Sequence, residues 1–364
     1  MRVLAAMSGG VDSSVVAARL LAAGHQVTGV HLALRNSPLV QMSGTGGCSS
    51  PTDVADAHRV AQRLGIECLV WDFSDRFADD VVTYFLDEYA AGRTPNPCLR
   101  CNQRIKFAAL LDRGLELGYE AVATGHYARL TDGPDGVELR RASDHAKDQS
   151  YVLGVLNQHQ LRHSLFPLGD SHKPQVRAEA ADLGLSVADK PDSLDLCFVS
   201  AGDTGGFLSD RLGSTPGRII GSDGSQLGTH QGTHRYTIGQ RKGLNLGVPA
   251  PDGRPRYVVG IDAASGDVTV GPAEELTVDL VSGMAPTWTG APRLGSWTGL
   301  VQLRAHGAAL PARMEASTDA VLISLAEGHR GVAPGQYAVL YDDDRVIGST
   351  VIRGTGRSAG KGVA

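Results

Sequence analysis

The chain has 364 residues, 42% hydrophobic and 20% charged, with a formal net charge of −5. That length suits two or three globular domains, and the composition excludes a disordered or fibrous chain. The acidic balance excludes binding of nucleic acid through a global positive field, so no DNA partner is expected and RNA would need local basic patches. No stretch of about 18 apolar residues occurs, so no membrane partner is expected. The first residues, Arg2-Val3-Leu4, open directly on an apolar run and leave no room for a leader peptide. Five cysteines are too few for a disulfide scaffold and fit a reducing cytoplasm, with thiols kept for reactivity or metal.

The run Val3-Leu4-Ala5-Ala6-Met7 leads into Ser8-Gly9-Gly10-Val11-Asp12-Ser13-Ser14 and then a helical pattern from Val15 to Leu21. A strand, a tight Gly/Ser loop and a helix start together cradle phosphate. The glycines admit backbone N–H groups to an anion, and the helix start adds partial positive charge. Ser8, Ser13 and Ser14 offer hydroxyl donors. Asp12 would repel phosphate unless a cation stands between them, so the loop implies Mg²⁺. No Gly-Lys-Ser/Thr follows and Gly-x-Gly-x-x-Gly is missing, which excludes the P-loop and the dinucleotide fingerprint. The stretch instead resembles the SGGxDSS loop of the N-type ATP pyrophosphatases, which adenylate a carbonyl oxygen and release pyrophosphate. The plainer alternative is a Gly/Ser turn capping a helix.

Residues 1 to about 130 then alternate strand and helix. Val27–Leu34 and Ile66–Trp71 read as strands, separated by a helix that Pro51 starts and Gly65 ends. Helices are expected over about Asp79–Ala91 and Gln103–Leu117, with a further strand at Ala121–Thr124. This order predicts a doubly wound parallel sheet with its ligand outside the carboxyl ends of the strands. The Gly/Ser/Thr-rich stretch Asn36–Ser50, which contains Cys48, reads as a flap near the nucleotide.

Gly92-Arg93-Thr94-Pro95-Asn96-Pro97-Cys98-Leu99-Arg100-Cys101-Asn102 is the second informative stretch. A helix is expected from about Asn102 or Gln103, which puts Cys101 near a helix start beside Arg100, Arg104 and Lys106 and favours thiolate. Three readings compete: half of a zinc site, with no second Cys pair to complete it; a thioredoxin-type redox pair in the wrong strand context; or a nucleophile at Cys101. Gly125, at the end of the next strand, allows close approach of a ligand such as adenosine. Lys147-Asp148-Gln149 offers a donor, an acceptor and an amide, or else a solvated helix start capped by Asp148 and Ser150. A helix over Pro174–Leu183 leads to Cys197, which sits in an apolar stretch and reads as a buried thiol unless it meets Cys101.

From about Ala201 to Leu276 the composition shifts to Gly, Asp and Thr. Tyr236–Arg241 reads as a strand, and Tyr257–Asp262 with Val268–Gly271 as a hairpin. Gly239–Gly243, with Arg235, Arg254 and Arg256 nearby, is a basic loop. From Thr277 the pattern is all-β, with strands at Leu300–Leu303, Val321–Leu325, Tyr337–Tyr341 and Val346–Ile352, as in a small barrel that binds RNA by shape. Arg353–Lys361 is expected to be disordered.

In order and spacing, these segments resemble the bacterial tRNA-specific 2-thiouridylases nearly end to end. The resemblance is carried by Met7–Ser14, Gly92–Pro97, Cys101-Asn102, Ile105-Lys106-Phe107, Thr124-Gly125-His126-Tyr127, Lys147–Tyr151, Lys173-Pro174-Gln175-Val176-Arg177, Cys197-Phe198, His230-Gln231-Gly232 and Thr237–Leu244. It implies an adenine nucleotide alpha hydrolase-like catalytic domain over residues 1–200, a small mainly-β tRNA-binding domain over 201–276 and a β-barrel over 277–364. The implied reaction is adenylation of the 2-carbonyl of the wobble uridine in tRNA, loss of pyrophosphate, and displacement of AMP by sulfur from an enzyme-bound cysteine persulfide. Cys197 would carry the persulfide, supplied by a sulfur carrier or a cysteine desulfurase. Cys101 would attack carbon 2, or resolve the persulfide through a disulfide with Cys197.

By the same resemblance, ATP would lie against Ala6, Met7, Ser8, Gly9, Gly10, Val11, Asp12, Ser13, Ser14, Leu32 and Gly125, with Mg²⁺ reaching Asp12 through the phosphates. The anticodon stem-loop, its target base turned out of the stack, would meet Asn96, Pro97 and Cys98, then His126, Lys147, Asp148 and Gln149, then Arg304, Ala305 and Gln336 of the barrel. Ala305 departs from the aromatic found elsewhere, and Cys98 from an acidic residue. The extra thiol admits a minority reading, an iron–sulfur cluster on Cys98, Cys101 and Cys197. Two rivals stand beside this. One is another ligase of the pyrophosphatase-loop kind, acting on a small carboxylate or amide and needing neither Cys101 nor Cys197. The other is a non-catalytic RNA-binding protein with a metal-stabilised cysteine site, which would not need Asp12.

Overall fold

The computed structural model describes residues 1–35, 50–192, 196–199, 203–246 and 252–358. The expected flap lies outside these residues apart from Ser50, and so does Cys48.

The first sheet holds β1 (Arg2–Ala6), β2 (Gln26–Ala33), β3 (Cys68–Asp72), β4 (Ala121–Ala123) and a short later strand, Ser164–Leu165. All pair in parallel, in the order β3, β2, β1, β4, then Ser164–Leu165. Continuous apolar runs such as Val3-Leu4-Ala5 suit strands covered on both faces. On one face α1 (Val11–Ala22) and α2 (Pro51–Leu64) pack Val15, Val16, Ala57 and Val60 against Val3 and Ala5. On the other, Leu110 and Leu111 meet Leu4, Val30 and Val122. The chain runs outward from β1 to β3 and returns to β4 on the far side. The switch point, and with it the ligand crevice, lies at the carboxyl ends of β1 and β4.

Three helices differ from expectation. The one expected over about Asp79–Ala91 begins at Ser74 and runs through a π-helical segment, Ala78–Thr83, to Ala90. The stretch expected from Asn102 starts earlier: Asn96 caps it, Pro97 occupies the first turn, and Pro97–Cys101 runs into a π-helical segment, Asn102–Ala109. Cys101 therefore stands in the second turn rather than at the helix start. The Asn96-Pro97 pair is a cap followed by a first-turn proline. The helix Lys173–Asp182 begins one residue before the expected one.

A hairpin not foreseen, β5 (Arg129–Gly133) and β6 (Gly136–Arg140), follows β4. Numbering Ser164–Leu165 as β7, the central sheet is β8 (Gly217–Gly221), β9 (Gln226–His230), β10 (Tyr257–Asp262) and β11 (Asp267–Gly271), in the order β10, β11, β8, β9. Tyr236–Arg241 is not a strand. After a 3₁₀ turn, Gln240 N donates to Thr237 O, and only isolated bonds between Gly239, Gln240 and Val258 tie the segment to β10. Its Tyr236 and Ile238 are core residues of this unit, and that burial mimics a strand pattern.

The C-terminal sheet closes on itself as six strands: β12 (Thr277–Trp288), β13 (Gly295–Gln302), β14 (Ala309–Ala316), β15 (Ala320–Arg330), β16 (Tyr337–Asp342) and β17 (Arg345–Gly356), with β12 pairing both β15 and β17. The tail expected to be disordered from Arg353 is strand to Gly356, and Arg357 donates to Thr277 O. The β5–β6 hairpin adds to this sheet beside β17, through Arg140 and Arg345.

Candidate active site

The Ser8–Ser14 loop is fixed by its own side chains. Ser13 Oγ accepts from Ser8 N at 3.2 Å and donates to Gly10 O at 3.1 Å, while Ser14 Oγ donates to Gly10 O at 2.8 Å. Gly9 has φ +76°, and a Cβ there would lie 2.3 Å from Asp53 O, so only glycine brings the loop this close to α2. A Cβ at Gly125 would lie 3.1 Å from both Asp12 Cβ and Ser13 N. The end of β4 thus closes on the start of α1, and the two glycines border one cradle at the switch point.

Charged side chains frame this cradle. Lys173 Nζ donates to both oxygens of Asp12, at 2.8 and 2.7 Å, and reaches Asp192 at 2.9 Å. Tyr127 OH donates to Asp12 Oδ1 at 2.8 Å. Burial, with the Asp12 charge next, pushes the Tyr127 hydroxyl well above its ordinary range, so it stays a donor. Asp192 also accepts from Lys147 at 2.9 Å and Arg177 at 2.8 Å. Burial opposes its charge, but Lys147 and Lys173 outweigh that and hold its carboxyl down at about 2. Lys190 Nζ donates to Gly9 O at 2.8 Å, Asp53 at 2.8 Å and Asp56 at 2.6 Å, fixing the loop to α2.

Asp12 is a hard oxygen ligand with a side chain 30% exposed, so in kind it fits magnesium at a phosphate site. Both its oxygens, however, are taken by Lys173. The cation that the sequence demands beside Asp12 is, in this structure, an ammonium from a distant helix. Sequence reasoning named Mg²⁺ and missed Lys173, Tyr127, Lys190 and Asp192; the unbalanced charge of Asp12 was the signal that pointed to such a partner.

The cysteines gather at the neighbouring edge. Cys101 is buried among Leu34, Phe77, Phe85, Ile105, Phe198 and Phe207, and Cys197 packs against the same cluster. Phe85, Phe198 and Phe207 meet pairwise, with ring centroids 5.2–6.3 Å apart. Arg35 donates to Cys197 O, binding that segment to the end of β2. Leu32 packs both against this cluster and beneath the sheet, so β2 links the two regions. Cys98 is exposed. Among the described residues no group of three or more His, Cys, Asp or Glu is placed to hold a metal ion, so the iron–sulfur reading finds no support.

The residues expected at tRNA are distributed as follows. Asn96 Oδ1 accepts from Cys98 N at 3.1 Å, and Pro97 is buried. His126 is buried between Phe107 and Phe166, with Nδ1 2.7 Å from Thr124 Oγ1, and burial holds its pKa well below the ordinary value. Lys147 serves Asp192, Asp148 accepts from Arg141, Ala142 and Ser150, and Gln149 accepts from Tyr127 N. Only Asp148, which takes Ser150 N and Oγ, fills the local capping role that sequence reading set beside RNA contact; Lys147 and Gln149 instead reach other segments of the chain. Arg304 is exposed on the barrel, and Ala305 packs against an inner cluster. Gln336 Nε2 donates to Thr94 O at 2.7 Å and Thr94 N to Pro334 O at 2.8 Å, so the barrel holds the Gly92–Pro97 loop.

Three families match the chain in succession: a tRNA methyl transferase HUP domain over residues 1–201, a tRNA methyl transferase PRC-barrel domain over 205–272 and an aminomethyltransferase beta-barrel domain over 279–352. Among whole-length relatives, a protein of Acidothermus cellulolyticus named tRNA-specific 2-thiouridylase MnmA is 59% identical over 99% of both chains. One of Cutibacterium acnes with the same name is also 59% identical over 99% of each. One of Streptomyces coelicolor, again so named, is 56% identical over 98% of this chain and 96% of its own.

Proposed function

The chain belongs to the tRNA-specific 2-thiouridylase family, and on that premise we propose that it replaces the 2-oxygen of the wobble uridine in tRNA by sulfur, using ATP. One observation carries the reading: the Ser8–Ser14 cradle follows β1, and at the end of the neighbouring strand β2 Leu32 and Leu34 join the apolar cluster that holds Cys101 and Cys197. A ligase acting on a small carboxylate would have no use for the second.

The cradle takes the triphosphate on the N–H groups of the loop and the start of α1. When bound, magnesium supplies charge neutralisation between Asp12 and the phosphates. The uridine 2-oxygen attacks the α-phosphorus and pyrophosphate leaves, turning a poor leaving group into AMP. The terminal sulfur of a Cys197 persulfide then attacks carbon 2 and AMP departs. The Cys101 thiolate attacks the Cys197 sulfur, releasing 2-thiouridine and leaving a Cys101–Cys197 disulfide. Two equivalents of an external thiol, which leave joined as their own disulfide, return it to two thiols. The apolar wall of the pocket keeps water from the adenylated base. A cytoplasmic setting, and delivery of sulfur by a carrier or a cysteine desulfurase, belong to the same reading.

The test is nucleoside mass spectrometry on unmodified tRNA incubated with the protein, ATP, Mg²⁺ and a persulfide source, beside Cys101→Ser and Cys197→Ser. The expected result is 2-thiouridine with the wild type and none with either variant. Pyrophosphate release without any 2-thiouridine from the wild type would leave the loop correctly read and the substrate wrong.

A further inference from the structure

We propose that Glu88 is a positioning residue for thiolation: it anchors the Gly92–Pro97 loop to the last barrel strand, so that Asn96, Cys98 and Cys101 meet the target base in one register. The inference rests on the wobble-uridine reaction proposed for this chain.

Glu88 lies in the last turn of the helix that ends at Ala90, and its side chain is only 6% exposed. No step of the reaction uses it. A carboxylate so hidden needs cations, and it has two. Arg93 grips it in a fork, Nε donating at 2.7 Å and Nη2 at 2.6 Å. Arg353, from β17 of the barrel, donates to the same two oxygens at 3.3 and 3.4 Å. Burial opposes the charge, yet Arg93 and Arg353 outweigh it and hold the carboxyl below its ordinary range. Arg93 N also donates to Glu88 O at 2.9 Å, so backbone and side chain alike fix the start of the loop.

The loop is then closed in from two sides. Thr94 N donates to Pro334 O at 2.8 Å and Gln336 Nε2 to Thr94 O at 2.7 Å, while Thr94 Oγ1 donates to Thr237 Oγ1 of the central unit at 3.3 Å. Gly335 has φ +92°, and a Cβ there would lie 2.9 Å from Thr94 N. A Cβ at Gly92, φ +73°, would lie 3.0 Å from Ile261 Cγ2. Between Arg93 and Cys98 stand Thr94, Pro95, Asn96 and Pro97, and the two prolines have fixed φ. A shift of Arg93 is therefore passed on to the Asn96 cap and to the Pro97–Cys101 helix that carries both cysteines. A buried ion pair adds little net stability over apolar packing. What the fork on Glu88 supplies is direction.

The experiment measures steady-state 2-thiouridine formation and hydrogen exchange on the full chain. It compares wild type, Glu88→Gln, Arg353→Gln and the double variant. Glu88→Gln keeps the shape and removes the charge. It should lower kcat about tenfold or more, with the tRNA KM within about threefold, because the reacting groups are misplaced rather than the RNA released. Exchange should quicken in peptides spanning Arg93–Cys98 and stay unchanged in those of the Ser8–Ser14 loop. Arg353→Gln should lower kcat at least threefold. The double variant should lose no more than Glu88→Gln alone, since Arg353 acts through Glu88. A kcat within about threefold of wild type for Glu88→Gln overturns the proposal. So do unchanged exchange over Arg93–Cys98, acceleration shared equally by the Ser8–Ser14 loop, and single losses that multiply in the double variant. Should Glu88→Gln fail to fold, Arg353→Gln decides alone: a threefold or larger fall in kcat with faster exchange confined to Arg93–Cys98 supports the proposal, and anything less overturns it. If the wild type makes no 2-thiouridine, the proposed reaction falls and the positioning role with it, while the exchange data still report whether Glu88 holds the loop.

Discussion

Around the phosphate loop, charged side chains hold one another: Lys173 joins Asp12 to Asp192, and Lys190 joins Gly9 to Asp53 and Asp56. Around Cys101 the walls are aromatic rings and aliphatic side chains, Phe198 of the Cys197 segment among them, and Arg35 donates to the Cys197 carbonyl. In the proposed reaction the first region meets a polyanion, and a dense set of ion pairs suits a ligand which arrives charged and leaves in two pieces. The second handles a bond that water would hydrolyse, and an apolar wall suits it. The contrast teaches that the two half-reactions should fail separately.

The largest expected effect sharpens that separation. Cys101→Ser and Cys197→Ser should each lower 2-thiouridine formation by about a thousandfold or more, with pyrophosphate release kept within several-fold, as nucleoside mass spectrometry and a pyrophosphate assay would report. Next comes the apolar wall: Phe85→Ala should cost about 3–5 kcal/mol in denaturant unfolding, because Phe85 is buried and meets Phe198 and Phe207. ATP binding by the folded variant should persist. If it vanishes, the two regions are less independent than their materials suggest.

On the ionic side, Gly9→Ala forces a side chain into a left-handed backbone position and against Asp53 O. Displacing the loop should cut pyrophosphate release about a hundredfold. A pH test follows from Asp192. Its folded pKa is pushed down to about 2, below an ordinary value near 4, so its stabilising contribution is complete above about pH 4 and fades as pH falls toward 2. Asp192→Asn should flatten that part of the acid limb of Tm against pH; an unchanged slope would remove the ion bridge as a stabilising element. The smallest effect belongs to Gln336→Ala. It removes one bond to Thr94 O, about 1 kcal/mol, and should raise the tRNA KM a few-fold with kcat little changed.

The loop from Ser8 to Ser14 was legible because strand, glycines and helix start are contiguous. So were α2, with Pro51 and Gly65 at its ends, and the parallel sheet. What escaped lay in long-range pairing. Lys173 stands 161 positions from Asp12, and nothing local marks its ammonium as the partner. Two barrel strands, β12 and β14, went unread because Pro286 and Pro311 interrupt their patterns. The structure accommodates Pro286 beside a register shift between Met284 and Thr287. The β5–β6 hairpin was missed although its pairing is local and Gly133-Pro134-Asp135-Gly136 marks its turn. Tyr236–Arg241 was misread because core burial at alternate positions does not require a ladder.

That hairpin has a consequence for how the protein is made. Arg345 reaches Glu138 across 207 positions of chain, and Asp344 takes Arg129 and Arg140. At about 5–20 residues per second, a ribosome needs roughly 10–40 s to produce the far side of this seam after the near side has emerged. For that interval the nascent hairpin waits with an unsatisfied edge, and β17, the last strand among the described residues, is the one that closes both the barrel and its junction with the N-terminal half.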